Sequence, residues 1–280
     1  MKRFALPRTG AAAVVSVLSL ALVTGCSDSG SDGASDSGSG SGDKAGTKEP
    51  AAAAKVLSDS ELEKLIIATA DVKGFKVGPA DGAEQFASSK KDIKVVDEKC
   101  APLVYVLTGF APGDSASYVN RMAQEDPTAK PSASPTKDME DMTEEELDEA
   151  MNSITDALGS TVSIVSLSSY EGDGAKETMA SVSAAIDGCG GGFTATAKGE
   201  PQKFKKIASE KASGSGDESL AFAATADTDG DPVVHAEVAR HGSTVATYFT
   251  FSLAAFADDA KVSDYAVPAA LIKAQTAKLG

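Results

Sequence analysis

The sequence predicts an α+β domain, an antiparallel β-sheet with helices packed on one face and one disulfide. Three observations predict it. Strand-like segments follow one another near the C-terminus, separated by turns too short for a parallel crossover. Amphipathic helical segments flank them in the chain. Of three cysteines, one stands apart near the N-terminus, and the other two are left to each other.

The domain is predicted over residues 57–280. Ser58-Asp-Ser-Glu61-Leu62 opens a helix through about Val72, with Glu61 three residues after Ser58 as in a capping box and Leu62, Leu65 and Ile66 as its buried stripe. A short strand at Phe75–Val77 precedes a polar stretch to Lys91. Cys100 starts the apolar helix Ala101–Leu107, where Pro102 is tolerated in the first turn. Ser117–Met122 alternates like a strand. Pro127, Pro131 and Pro135 then mark an acidic insertion over about residues 125–160. Within it Thr143-Glu-Glu-Glu146 begins a helix with Leu147, Met151, Ile154 and Leu158 on one side.

From Thr161 the pattern is stronger. Val162–Tyr170 is a strand, and Asp173 caps a helix to about Asp187, just before Cys189. Strands are predicted at Gln202–Lys211, Ser219–Ala226, Pro232–Arg240 and Thr244–Leu253. Asp227–Asp231 and His241-Gly242 form the turns between the last three. A helix from about Val267 to Leu279 closes the domain.

The N-terminus carries an address. Lys2, Arg3 and Arg8 precede an apolar run from Ala11 to Val23, shorter than the roughly 20 residues that cross a bilayer as a helix. The run ends in Leu22-Val23-Thr24-Gly25-Cys26, which resembles a bacterial lipobox. That resemblance implies residues 1–25 as signal peptide, cleavage before Cys26, and a diacylglyceryl anchor on its thiol at the outer face of the cell membrane. Two acyl chains meet the physical requirement for stable anchoring, since one binds only marginally. Residues 26–56, dense in Ser, Gly and Asp, cannot bury apolar surface and are predicted to be a disordered tether.

The formal charge of −15 becomes −18 once the three cations of the signal leave. Such an acidic chain is a poor partner for nucleic acid or anionic headgroups, which call for Lys/Arg clusters. With Cys26 consumed by lipid, Cys100 and Cys189 are predicted to pair as a structural disulfide in an oxidising compartment. The rival readings are two free thiols or a metal pair. Without Cys-x-x-Cys, and with two histidines in all, zinc is disfavoured.

Other constellations favour bland readings. Asp227, Asp229 and Asp231 suggest calcium, but an EF-hand loop places Gly sixth and Glu twelfth; here Gly230 is fourth and Val238 twelfth. A solvated hairpin turn fits better. His235 and Glu237 share a strand face without a third partner, and Val234, Ala236 and Val238 take the buried face, which leaves His235 outward. His241 falls in a turn. Gly190-Gly191-Gly192 follows a helix rather than preceding one, so it is a helix stop and not a phosphate loop. No Gly-x-Ser-x-Gly elbow is present. The acidic run Asp138–Glu149 reads as a solvated helix face. Neither a catalytic residue nor a metal or cofactor site is assigned.

The order of elements resembles a known family: a first helix, the Cys100-Ala-Pro-Leu helix, the Ser-Ser-Tyr170-Glu-Gly-Asp-Gly-Ala corner, Cys189, then antiparallel strands. Actinobacterial surface lipoproteins have this order and are similar to the extracellular sensor domain of PknH-type kinases. The resemblance implies helices over a curved sheet, a cleft, and a ligand-binding or sensing role. The expectation is therefore a non-enzymatic, membrane-anchored domain that binds a small molecule or an envelope protein. An alternative is an envelope lipid carrier, which needs an apolar cavity between sheet and helices. A cell-wall hydrolase is the third possibility, for which no feature speaks.

Overall fold

Local sequence starts the first helix and a distant residue stops it. In the computed structural model, which describes residues 55–80, 89–126, 143, 160–252, 254 and 265–280, α1 spans Asp59–Leu65. Ser58 N–H donates to the Glu61 carboxylate at 2.9 Å, the returning half of the expected capping box. The helix ends seven residues short of Val72 because Ile66 turns extended, at ψ 147°. The freed backbone finds a long-range partner. Gln275 accepts from Ile67 N–H at 3.0 Å and donates to Leu65 C=O at 2.9 Å. A single 3-10 turn, Thr69–Asp71, replaces the rest of the predicted helix.

The strands form one sheet. β1 (Phe75–Gly78), β2 (Ile93–Val95), β3 (Ser117–Glu125), β4 (Thr161–Ser169) and β5 (Phe193–Ala197) come first. β6 (Glu200–Glu210), β7 (Glu218–Ala226), β8 (Val233–His241) and β9 (Thr244–Ser252) follow. The spatial order is β1-β3-β4-β9-β8-β7-β6-β5-β2, nine strands with every neighbour antiparallel. The meander β6 to β9 has the four strands its sequence predicts, and β5, which the sequence reading did not include, extends it by one. β2 was not legible: three residues at an edge carry too little alternation to be seen.

Strand periodicity divides the apolar residues between two faces. On one face lie Ile164, Phe222, Val234, Ala236, Val238, Val245 and Phe249, covered by α2 (Ala101–Leu107) and α3 (Gly174–Gly188). On the other lie Val119, Ala123, Val165, Leu167, Ala246 and Tyr248, covered by α1 and α4 (Ala269–Leu279). The expected placement of helices on one face thus describes α2 and α3. The N- and C-terminal helices take the opposite face, because β3, β4 and β9 present apolar residues on both sides.

Buried hydroxyls make that double burial possible in β4, every residue of which is buried. Ser163 pairs with Thr250 at 2.7 Å on the α1/α4 side. Ser166 donates to Gly109 C=O at 2.9 Å and accepts from Thr247 at 3.1 Å on the other. The Ser163 and Ser166 oxygens are thereby partnered, which removes the cost of desolvating them. The unit Ala51–Gly280 contains both cores and the disulfide. The signal, most of the tether, and the helix expected after Thr143 lie outside the described residues.

Candidate functional site

The Cys100–Cys189 disulfide is present, with Cα atoms 6.0 Å apart and 89 residues between them in sequence. It joins the N-terminus of α2 to the residue just after α3. Both cysteines are buried at 2% exposure or less, among the apolar residues of that face. Three residues on, Gly192 adopts φ +87°, and a Cβ there would meet Phe204 C=O at 2.1 Å. The glycine run therefore stops the helix, as expected, and also lets the chain pass against β6.

Beside this staple, α2 and the sheet leave a cleft of about 610 Å³. Val104 and Leu107 of α2, with Thr108 just after it, form one wall, and Ile93 of β2 lies beside them. Ala195, Ala197, Phe204, Ala226, Val234 and Phe249 form the floor. Alanine at three floor positions leaves open the space that larger side chains would fill. Gln202, Lys203, Asp227, Thr228 and Asp229 stand at the mouth. Lys203 donates to Asp227 at 2.9 Å. This contact holds the Asp227 carboxyl below the usual carboxylate range and the Lys203 ammonium above its usual value. The cleft can therefore take an apolar body of small-molecule size, with a few polar groups at its opening.

The Asp227–Asp231 segment is the β7–β8 hairpin turn, and two of its three carboxylates are used in ion pairs. Asp227 pairs with Lys203 and Asp231 with Lys205. Gly230 and Asp231 supply the positive φ values, +79° and +49°. Among the described residues, no three or more His, Cys, Asp or Glu side chains gather as metal ligands.

His235 does lie on the face opposite Val234 and Ala236, but that face is covered. Its side chain is 14% exposed, its Nδ1 sits 3.0 Å from Glu210, and its ring meets Tyr265 edge-on at a centroid distance of 4.8 Å. The outward, solvated histidine expected from alternation is corrected here, because residues just before α4 return over the strand. Glu237 shares the face and is 4% exposed. It accepts from Ser213 N–H at 3.1 Å and from the Ser213 hydroxyl. The two side chains hold different partners and form no dyad.

His241 ends β8, and burial lowers its pKa, which favours the neutral imidazole. Neighbouring Asp217 accepts from Gly242 N–H and from Arg240, both at 2.8 Å, and pins the β8–β9 turn. Cys26 and the acidic run Asp138–Glu149 lie outside the described residues. The cleft-lining residues were missed as a site by sequence reading. Each is an ordinary apolar strand or helix position, and only the gap between α2 and the sheet makes them a group.

No family model matches the chain, and no characterised protein matches its sequence. Among solved structures, the chain is similar to the extracellular domain of PknH from Mycobacterium tuberculosis, with a TM-score of 0.41 and 12% identity. The match covers 80% of this chain and 95% of that one.

Proposed function

We propose that this chain is an extracytoplasmic lipoprotein, anchored by a diacylglyceryl group on Cys26, whose domain binds a small apolar or amphipathic molecule without transforming it. The cleft between α2 and the sheet carries the reading. Its volume of about 610 Å³ lies within the roughly 300–1,000 Å³ range of small-molecule sites. Its apolar floor supplies affinity by releasing water, at about 25 cal/mol per Å² of apolar surface covered. The Cys100–Cys189 bond suits an oxidising compartment. The ionisable groups of the described lining are Lys203, Asp227 and Asp229, and the first two already neutralise each other at the mouth. This is a binding chemistry rather than a proton-transfer one.

The same apolar lining also favours a carrier of an envelope lipid. Organic extraction of the natively purified protein, followed by mass spectrometry, separates a carrier from a sensor-like binder: a carrier yields a stoichiometric lipid, and an empty extract removes that reading. For binding itself, the neutral fluorophore N-phenylnaphthylamine is expected to brighten on addition of the protein. Ala197→Phe, which fills the floor, is expected to abolish the signal. Equal brightening in the variant would place the probe elsewhere and end the proposal. For the anchor, Cys26→Ala is expected to move the protein from the membrane to the soluble fraction. Retention in the membrane would refute lipidation.

A further inference from the structure

The mouth of the cleft is chemically one-sided. Asp227 and Asp229 stand there with a single cation, Lys203, which is already bound to Asp227 at 2.9 Å. Asp229 makes no hydrogen bond or ion pair among the described residues, so the opening carries one net negative charge. Next to it is an aromatic ring: Phe204 lines the cleft and stands opposite Ala226 in the β6–β7 register, one residue from Asp227. An apolar cleft with an aromatic side chain in its lining and an unneutralised carboxylate at its mouth supplies the two attractions that select an ammonium group, cation–π and Coulombic. The chain as a whole, at −15, adds to the bias against anions.

Resting on the binding reading above, we infer that the occupant is a single-chain amphiphile with a cationic head, a protonated or quaternary amine. Its apolar tail lies over Val234 and Phe249, and its head lies at Phe204 and Asp229. The burial of the tail sets affinity, and the mouth sets selectivity. Because both carboxylates are exposed, the selectivity is modest and salt-sensitive. Fatty acids and anionic lipids are disfavoured by the same charge that welcomes the amine.

The test compares decyltrimethylammonium, decanol and decanoate by displacement of N-phenylnaphthylamine from the unit of residues 51–280. The cation is expected to bind about tenfold more tightly than the anion at low ionic strength, the size of effect one net charge exerts near contact in water. The preference is expected to vanish at about 1 M salt, where screening reaches roughly 3 Å. In the double variant Asp227→Asn, Asp229→Asn, Lys203 is left alone and the preference is expected to reverse, with decanol unchanged. Phe204→Leu, which also trims the floor, is expected to weaken the cation more than decanol. Decanol binding without any preference for the cation overturns this inference and leaves the binding reading standing. A preference that survives the double variant also overturns it, because long-range charge alone would then be responsible. Failure of all three ligands to displace the probe removes the binding reading itself.

Discussion

The two faces of the sheet are closed by different means. On one, α1 and α4 come from opposite ends of the domain and pack Leu62, Leu271 and Ile272, with Ile67 just after α1, against β3, β4 and β9. Fully buried Gln275 satisfies the backbone where α1 ends. On the other, α2 and α3 are held by a covalent bond, and α2 stands far enough off the floor to leave a cleft. Voids in a packed core cost stability. Where a disulfide fixes the wall, the interior can stay open.

Breaking the staple has the largest expected effect. Replacing both Cys100 and Cys189 by serine releases a loop closed across 89 residues and is expected to cost about 4–5 kcal/mol on the chain-entropy argument. Urea unfolding of the variant against the parent measures it, and probe binding is expected to disappear with it. Unchanged binding would show that packing alone holds α2.

A matched pair of truncations sharpens the contrast. Leu271 is 0% exposed in the packed core, while Leu107 is 4% exposed and lines the cleft. Leu271→Ala is expected to cost about 4–5 kcal/mol and Leu107→Ala about 2–3 kcal/mol, the two ends of the range for such changes. Leu107 has fewer neighbours to lose, since one side already faces open space. Equal costs in chemical denaturation would erase the distinction between the faces.

The smallest effect belongs to the rim of the packed face. Lys278 donates to Asp71 at 2.7 Å and ties α4 to the turn after α1. That contact, followed by the Ala68 N–H, holds the Asp71 carboxyl below its usual value of 3.8. A depressed carboxylate stabilises the fold fully above its unfolded pKa, and the contribution fades as the pH falls through the folded value. Lys278→Met is therefore expected to cost about 0.5 kcal/mol near neutrality and nothing in strong acid. Glu61, lowered to about 2 chiefly by Lys55 and then by Ser58 N–H, follows the same sign. Stability curves at a series of pH values check both, and a penalty that persists in acid would contradict the assignment.

Much of the architecture was legible because it rests on local signals. Ala101–Leu107 was bounded by its proline and its apolar run, and the observed helix has the same ends. The β7–β8 and β8–β9 hairpins were marked by Asp-Thr-Asp-Gly-Asp and His-Gly. The cysteines could be paired by count. Reading failed where a distant group decided. α1 stops early because Gln275 offers a better partner than another helical turn. His235 was placed outward by alternation, but Tyr265 covers it.

The sequence by itself determined the α+β class, the antiparallel meander, the pairing of Cys100 with Cys189, and the expectation of a lipid address at Cys26. Each depends on neighbours in the chain or on a count of residue types. Only the tertiary structure decided that helices cover both faces and that Ala195, Ala197 and Ala226 open a cleft under α2. Whether an alanine is filled around or left beside a void depends on how far a neighbouring element stands from it, and that distance is set by contacts remote in sequence.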